Sequence, residues 1–332
     1  MAMGSLLDPP PPRRKARFSD DTPRFLLTVD TEEDFDWTKP LSRESHGTQH
    51  VPRLTEFQQF CESEDVVPVY LVDWPIATSD AAADALRAPI AQGRAEIGVQ
   101  LHPWVNPPFS EEVNQPNSYP GNLPRALESE KLATLHEAIV GSFGKPPLIY
   151  RAGRYGAGPH TADILRDQGI AIDTSARPLF DYSSDGGPDY RDHPLHPYWL
   201  DDEKTLLELP LTTTFWGLLR RQGGMIYPRL WRMPSMRGVL ARLALLERVP
   251  LTPEGVSVEE AIRGIDIALD DGLPLLVLSF HSPSLLPGST PYVRSAADLE
   301  ELYDWWRRIF AYLHQRGVKP SSVRDVMETV VR

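Results

Sequence analysis

The sequence predicts an α/β fold in which a mostly parallel sheet curls into a (β/α) barrel. Short apolar strands alternate with helix-period segments along most of the chain, the pattern of repeated βαβ units. Right-handed crossovers let such a series close on itself. At least five of the strands also end on a polar group: residues 25–29 run into Asp30, 96–100 almost into His102, 148–150 into Arg151, 170–172 into Asp173 and 275–280 into His281. Chemistry gathered at the C-terminal ends of successive parallel strands is how a barrel builds an active site. The chain therefore reads as an enzyme.

The elements follow in order. Residues 25–29 are a short apolar first strand, followed by a helix over 54–63 and a second strand over 66–72. Asp80 caps an alanine-rich helix reaching residue 91. Residues 95–100 form the third strand. Ser129 then caps a helix over 130–143 with Leu132, Leu135, Ile139 and Phe143 at helical spacing. Strands at 148–150 and 170–172 flank a helix from Thr161 to Gln168, which Gly169 stops. A strand over 206–211, a helix over 258–270, a strand over 275–280, a long helix over 298–315 ended by Gly317 and a helix over 321–331 complete the chain.

No repeat or linker interrupts residues 24–332, which read as one domain. Residues 1–23, Pro-rich and then basic through Arg13, Arg14, Lys15 and Arg17, read as a disordered tail. Three insertions, at 103–128, 177–204 and 212–235, follow strand ends and are expected at one mouth. They carry twelve aromatic residues, Trp104, Tyr119, Tyr182, Trp216 and Trp231 among them, which suit a sugar ring or another flat ligand. Packing of the loops onto the barrel is the plainer role for most.

A net charge of −12 over 332 residues excludes a general nucleic-acid binder. No apolar run approaches the roughly 20 residues that span a bilayer, and no membrane partner is expected. Residues 1–23 hold no signal-peptide core. The single cysteine, Cys61, forms no internal disulfide and reads as a small core residue; both features suit a reducing, cytoplasmic compartment.

Residues 28–36, Thr-Val-Asp-Thr-Glu-Glu-Asp-Phe-Asp, put five carboxylates just past a buried strand. Close like charges raise one another's pKa or need a cation, so the run points to a general base, a hard-metal site or both. A solvated acidic turn is the alternative, though it usually lacks a buried strand directly before it. His102, fixed by Pro103, suits a ligand or an acid/base. Residues 150–158, Tyr-Arg-Ala-Gly-Arg-Tyr-Gly-Ala-Gly, offer an anion cradle before a helix. Arg151 there can instead hold a strand-end carboxylate ionised. The late Leu-Ser-Phe-His-Ser-Pro-Ser run lacks the Gly-x-Ser-x-Gly elbow of a serine nucleophile.

The order Thr-x-Asp, Glu-Ile-Gly with a nearby His, Arg-x-Gly and Leu-Ser-Phe-His resembles the polysaccharide deacetylase family, the NodB-homology or carbohydrate esterase 4 fold, over residues 24–332. That resemblance implies a distorted (β/α)7 barrel, with long loops at its C-terminal mouth, that hydrolyses N- or O-acetyl groups, usually on sugars. By resemblance Asp30 is the general base, Arg151 steadies it, His281 is the general acid and Asp173 orients His281. Trp104, Arg154, Tyr155 and Trp216 are the expected substrate contacts. The family's metal triad is altered: Thr31, Gln100 and Trp104 stand at its three positions, and only His102 remains, displaced by two. A divalent metal such as zinc would then be held by His102 with Glu32 and Asp34, or Asp36, aided by His46 or His50. Three readings follow: deacetylation of an N-acetylated sugar or small glycan-related substrate, metal-independent amide or ureide hydrolysis on the same fold, and a barrel that binds a glycan or anion without catalysis.

Overall fold

Seven parallel strands curl into a distorted (β/α)7-type barrel in the computed structural model, which describes residues 4–36, 39–44, 46–230 and 233–332. In chain order the elements are β1 (Arg24–Thr31), α1 (Leu54–Ser63), β2 (Val69–Val72), α2 (Trp74–Ala77), α3 (Asp80–Ala91), β3 (Glu96–Leu101), α4 (Arg125–Phe143), β4 (Ile149–Ala152), α5 (Thr161–Asp167), β5 (Ile172–Asp173), β6 (Tyr198–Trp199), β7 (Leu207–Glu208), β8 (Thr213–Trp216), α6 (Gly223–Leu230), α7 (Pro234–Arg242), β9 (Glu247–Pro250), α8 (Val258–Asp270), β10 (Leu275–His281), α9 (Ala296–Gln315), β11 (Lys319–Pro320) and α10 (Val323–Thr329). The sheet runs β10-β1-β2-β3-β4-β5-β7-β6, with β6 antiparallel at the edge and β11 beside β1.

The curl nearly closes. Between β7 and β10 no ladder forms; Thr212 bridges the gap instead. Its amide donates to the Val277 carbonyl (3.2 Å), its hydroxyl accepts from the Val277 amide (2.9 Å), and Leu251 and Ser279 extend the join. Strand alternation divides the core in two. Leu26, Val69, Leu71, Ile149, Ile172, Leu207, Leu275 and Val277 fill the barrel interior, while Leu27, Val29, Tyr70, Val99 and Phe280 face the helices.

The short strands are shorter than expected. β5 is two residues long and β7 spans only Leu207–Glu208. Pro210 lacks the amide that would continue the ladder, and Leu211 bonds back to Ala176 instead. Residues 212–235, expected as a loop, carry β8 and α6 and begin α7; β8 pairs with β9 in a separate two-stranded sheet. Trp231 lies outside the described residues.

The disordered tail is corrected. Leu6 and Ala16 are buried, the Ala16 amide donates to Pro197 (2.8 Å) and Ser19 to Thr329 (2.8 Å). Arg13 and Arg14 pair with Asp202 at 3.3 and 3.1 Å. The proline run stiffens the segment and the basic residues pair with an acidic rim, so residues 4–23 lie strapped across the β6 edge.

Candidate active site

Strand register assembles the centre. In the parallel pair β1/β10, Asp30 stands opposite His281, and in β3/β4 Gln100 stands opposite Arg151. Side chains at matched heights on successive strands converge at the barrel mouth.

Asp30 and Arg151 form a buried ion pair. The guanidinium also donates from Nε to the Thr174 carbonyl (3.1 Å) and from Nη2 to the Thr28 hydroxyl (2.9 Å), so it has one orientation. The second oxygen of Asp30 lies 3.6 Å from Nε2 of His281. Behind His281 stands Glu254, whose Oε2 is 2.6 Å from Nδ1, while Oε1 accepts from the His281 amide (3.2 Å) and the Ser284 hydroxyl (2.7 Å). Burial disfavours the imidazolium, but the Glu254, Glu32 and Asp30 carboxylates outweigh it and raise the pKa of His281 to about 10. Burial raises the carboxyl of Glu254, but the His281 imidazolium and amide and the Ser284 hydroxyl outweigh it and hold it below its usual range.

Glu254 was missed in the sequence, and Asp173 does not take the role expected of it. Asp173 accepts from the Ser175 hydroxyl (2.7 Å) and pairs with the buried carboxyl of Glu208, which burial and Asp173 raise well above its usual value. Glu254 sits in the loop after β9 with no strand-end signature, and only the fold brings it to His281.

A second cluster lies across the mouth. Nδ1 of His102 is 2.8 Å from Glu33 and 3.9 Å from Asp73, and Nε2 is 3.5 Å from Glu32. Glu33, Asp73 and His102 are buried with ligand atoms mutually within 4.8 Å, a donor set that can hold a metal ion. Two carboxyls and an imidazole suit a divalent cation, and Glu33 Oε1 is buried with no partner, free to take one. Burial pushes the carboxyl of Glu33 up to about 7 and that of Asp73 well above its usual value.

The expected ligand set changes accordingly. His102 remains central. Glu32 stands beside it, bonded to Gln100 (3.0 Å), and its carboxyl is raised by burial to about 7. Asp34 lines the cleft but stands outside that cluster: three residues past the end of β1, it accepts from the Ser289 hydroxyl (2.8 Å) and its backbone pairs with Gly47. His46 is exposed, and His50 bonds Ser282 (2.8 Å) with its pKa lowered to about 4 by burial, so neither joins. Asp73, after β2, went unnoticed because it also reads as the cap it is, accepting from the Ile76 amide (3.0 Å).

The cleft, about 1140 Å³, is lined by Asp30, Arg151, Glu254 and His281, by Glu32, Glu33 and His102, and by Tyr119, Arg154, Tyr155, Arg177, Tyr182 and Tyr292. Arg154 and Tyr155 both stand on it as expected. They occupy the left-handed region at φ 56° and 61°, a conformation costly for residues with side chains and common at functional turns. Arg154 lies over the Tyr119 ring at 4.3 Å. Trp104 is not a substrate platform: it is buried and stacks on His102 at 4.5 Å. Trp216 is not among the residues lining the cleft; it lies on β8 under Arg263. Gly153 is needed where β4 ends, since a Cβ there would collide with the Leu101 carbonyl and the His102 ring.

No protein-family model matches the sequence, and no curated protein matches it. The fold is similar to solved structures. One, from Mycobacterium smegmatis and described as a candidate polysaccharide deacetylase, is 18% identical, covers 96% of this chain and 98% of its own, and has a TM-score of 0.47. A family 4 carbohydrate esterase from Streptomyces lividans is 11% identical over 93% of this chain and 97% of its own, with a TM-score of 0.44. The 4-alpha-glucanotransferase of Thermococcus litoralis is 13% identical over 92% of this chain and 40% of that longer one, with a TM-score of 0.53. At such identities the likeness is one of fold, and the chemistry is read from the residues.

Proposed function

We propose that the protein is a hydrolase of carbon–nitrogen bonds outside peptides, acting on the N-acetyl group of an amino sugar or small glycan-related substrate. The supporting observation is the placement of Asp30, ion-paired to Arg151, in register with a His281 that Glu254 keeps protonated. Asp30 takes a proton from water, and the hydroxide attacks the acyl carbon. As the tetrahedral intermediate collapses, Nε2–H of His281 protonates the departing nitrogen, so acetate and a free amine leave. The neighbouring carboxylates, which raise His281 to about 10, keep the acid loaded at neutral pH. The cleft is large enough for a short saccharide, and its tyrosines offer ring faces.

A divalent ion held by Glu33, Asp73 and His102 would supply Lewis-acid polarisation of the acyl oxygen. Metal-independent amide or ureide hydrolysis is the second reading, favoured by Thr31 and Gln100: the Thr31 hydroxyl donates to the Val29 carbonyl and the Gln100 amide to Glu32. Incubating the protein with N-acetylglucosamine oligomers, with and without a chelator, and measuring acetate and free amine tests both. Acetate lost on chelation supports the metal-assisted form, and acetate unaffected by it the second reading. New reducing ends without acetate would overturn both readings.

A further inference from the structure

A different surface carries an inference independent of that reading. Residues 217–246 contain six arginines, Arg220, Arg221, Arg229, Arg232, Arg237 and Arg242, and no carboxylate, in a chain whose net charge is −12. β8 and β9 form a two-stranded antiparallel stalk off the main sheet, and the described ones among these residues, 217–230 and 233–246, are the arm it carries, with α6 and α7 upon it. Six of the eleven exposed large hydrophobic side chains among the described residues lie on this arm: Leu218, Met225, Met233, Met236, Val239 and Leu243. Met236 and Val239 on α7 and Leu243 at its C-cap fall at spacings of three and four, one helical face. Leu230 and Leu246 turn inward and are buried.

We propose that this arm docks onto the surface of a bilayer bearing anionic headgroups. Exposed aliphatic and thioether side chains among arginines, in a segment with no acidic residue of its own and with Asp271 outside it reaching Arg220 (3.7 Å), are the composition of an interfacial amphipathic segment. Guanidinium groups bind lipid phosphates with two parallel hydrogen bonds, and the exposed leucine and methionine side chains enter the headgroup boundary. No helix among the described residues is long and apolar enough to cross a membrane, so the contact lies along the surface. A second copy of the chain is the weaker occupant, because a two-fold contact sets the same patch against itself and opposes arginine to arginine.

The test is co-sedimentation of the full chain with vesicles of phosphatidylcholine alone and with phosphatidylglycerol added, at low and high salt. Binding is expected to the anionic vesicles only. Arg221→Gln, Arg229→Gln and Arg242→Gln should each weaken it on the order of 5-fold, and Leu218→Ser with Met236→Ser and Leu243→Ser should abolish it. All six side chains are exposed, so an unchanged melting temperature certifies each variant's fold. Absence from the anionic pellet at low salt, or equal pelleting of wild type and variants, would overturn the proposal. So would a dimer in sedimentation velocity that the same variants dissociate. Hydrolytic activity enters none of these readouts.

Discussion

Glu254 and His281 are joined by a hydrogen bond of 2.6 Å that no strand register arranges. The loop after β9 delivers the carboxylate to the rear of an imidazole whose front faces Asp30. Glu254→Gln keeps a bond to Nδ1 and removes the charge. Because the carboxylates raise His281 to about 10, its loss moves the alkaline limb of kcat toward neutrality, with KM little changed. The folded pKa lies above the unfolded value of about 6.5, so the pair stabilises the fold fully below that pH and less as pH rises through the folded value. The variant flattens this window in melting curves; an unshifted alkaline limb would show that Glu254 does not set the charge of His281.

Asp30→Asn should lower turnover by about 10²–10⁴-fold, the usual contribution of a positioned proton acceptor. It also leaves Arg151 buried without its counter-charge, a loss of about 3–5 kcal/mol, read as a lower denaturation midpoint. Activity within tenfold of wild type would move the base to Glu32.

The cluster of Glu33, Asp73 and His102 predicts stabilisation by divalent zinc. At a hundredfold excess over Kd the gain is about 2.7 kcal/mol, visible as a rise in Tm. Asp73→Asn and His102→Ala should remove it while leaving the Asp30–Arg151 pair in place. A rise that survives both substitutions would place the ion elsewhere.

Away from the cleft, the buried carboxyl of Glu128 accepts from the Thr161 hydroxyl, and burial raises its pKa to about 7. A carboxyl raised in the folded state loses stability as pH climbs from the unfolded value of about 4.3 through the folded one. Glu128→Gln should therefore flatten the Tm profile over that interval and give no advantage below it. Parallel profiles for the two proteins would show that Glu128 stays ionised.

The parallel barrel and the trio Asp30, Arg151 and His281 were legible because a strand writes its own end in the sequence: an apolar run, then one polar group. Gln100 opposite Arg151 belongs to the same logic. Glu254 and Asp73 escaped because each sits in a connection, where position depends on how the loop folds back and where Asp73 doubles as a helix cap. Asp34 failed as a ligand for the opposite reason: its proximity in sequence to Asp30 and Glu32 was taken for proximity in space. Trp104 and Trp216 lie on insertions expected at the mouth, yet Trp104 is buried against His102 and Trp216 stands on β8 away from the cleft. The tail misled because proline and arginine mark both disorder and a strap tied to an acidic rim.

Six of the seven joins between neighbouring barrel strands are continuous ladders; the seventh rests on Thr212 and its few bonds to Val277 and Leu251. A ring with one soft seam does not breathe evenly. Amide protons along β1 and β2 should outlast those of residues 211–213 and 251–252, and the seam lies against β10 itself: Val277 takes the Thr212 bonds, and the chain from Leu251 runs on to Glu254, the partner of His281. Any loosening of that join therefore reaches His281 and Glu254 first, while Asp30 is anchored independently by Arg151 from β4.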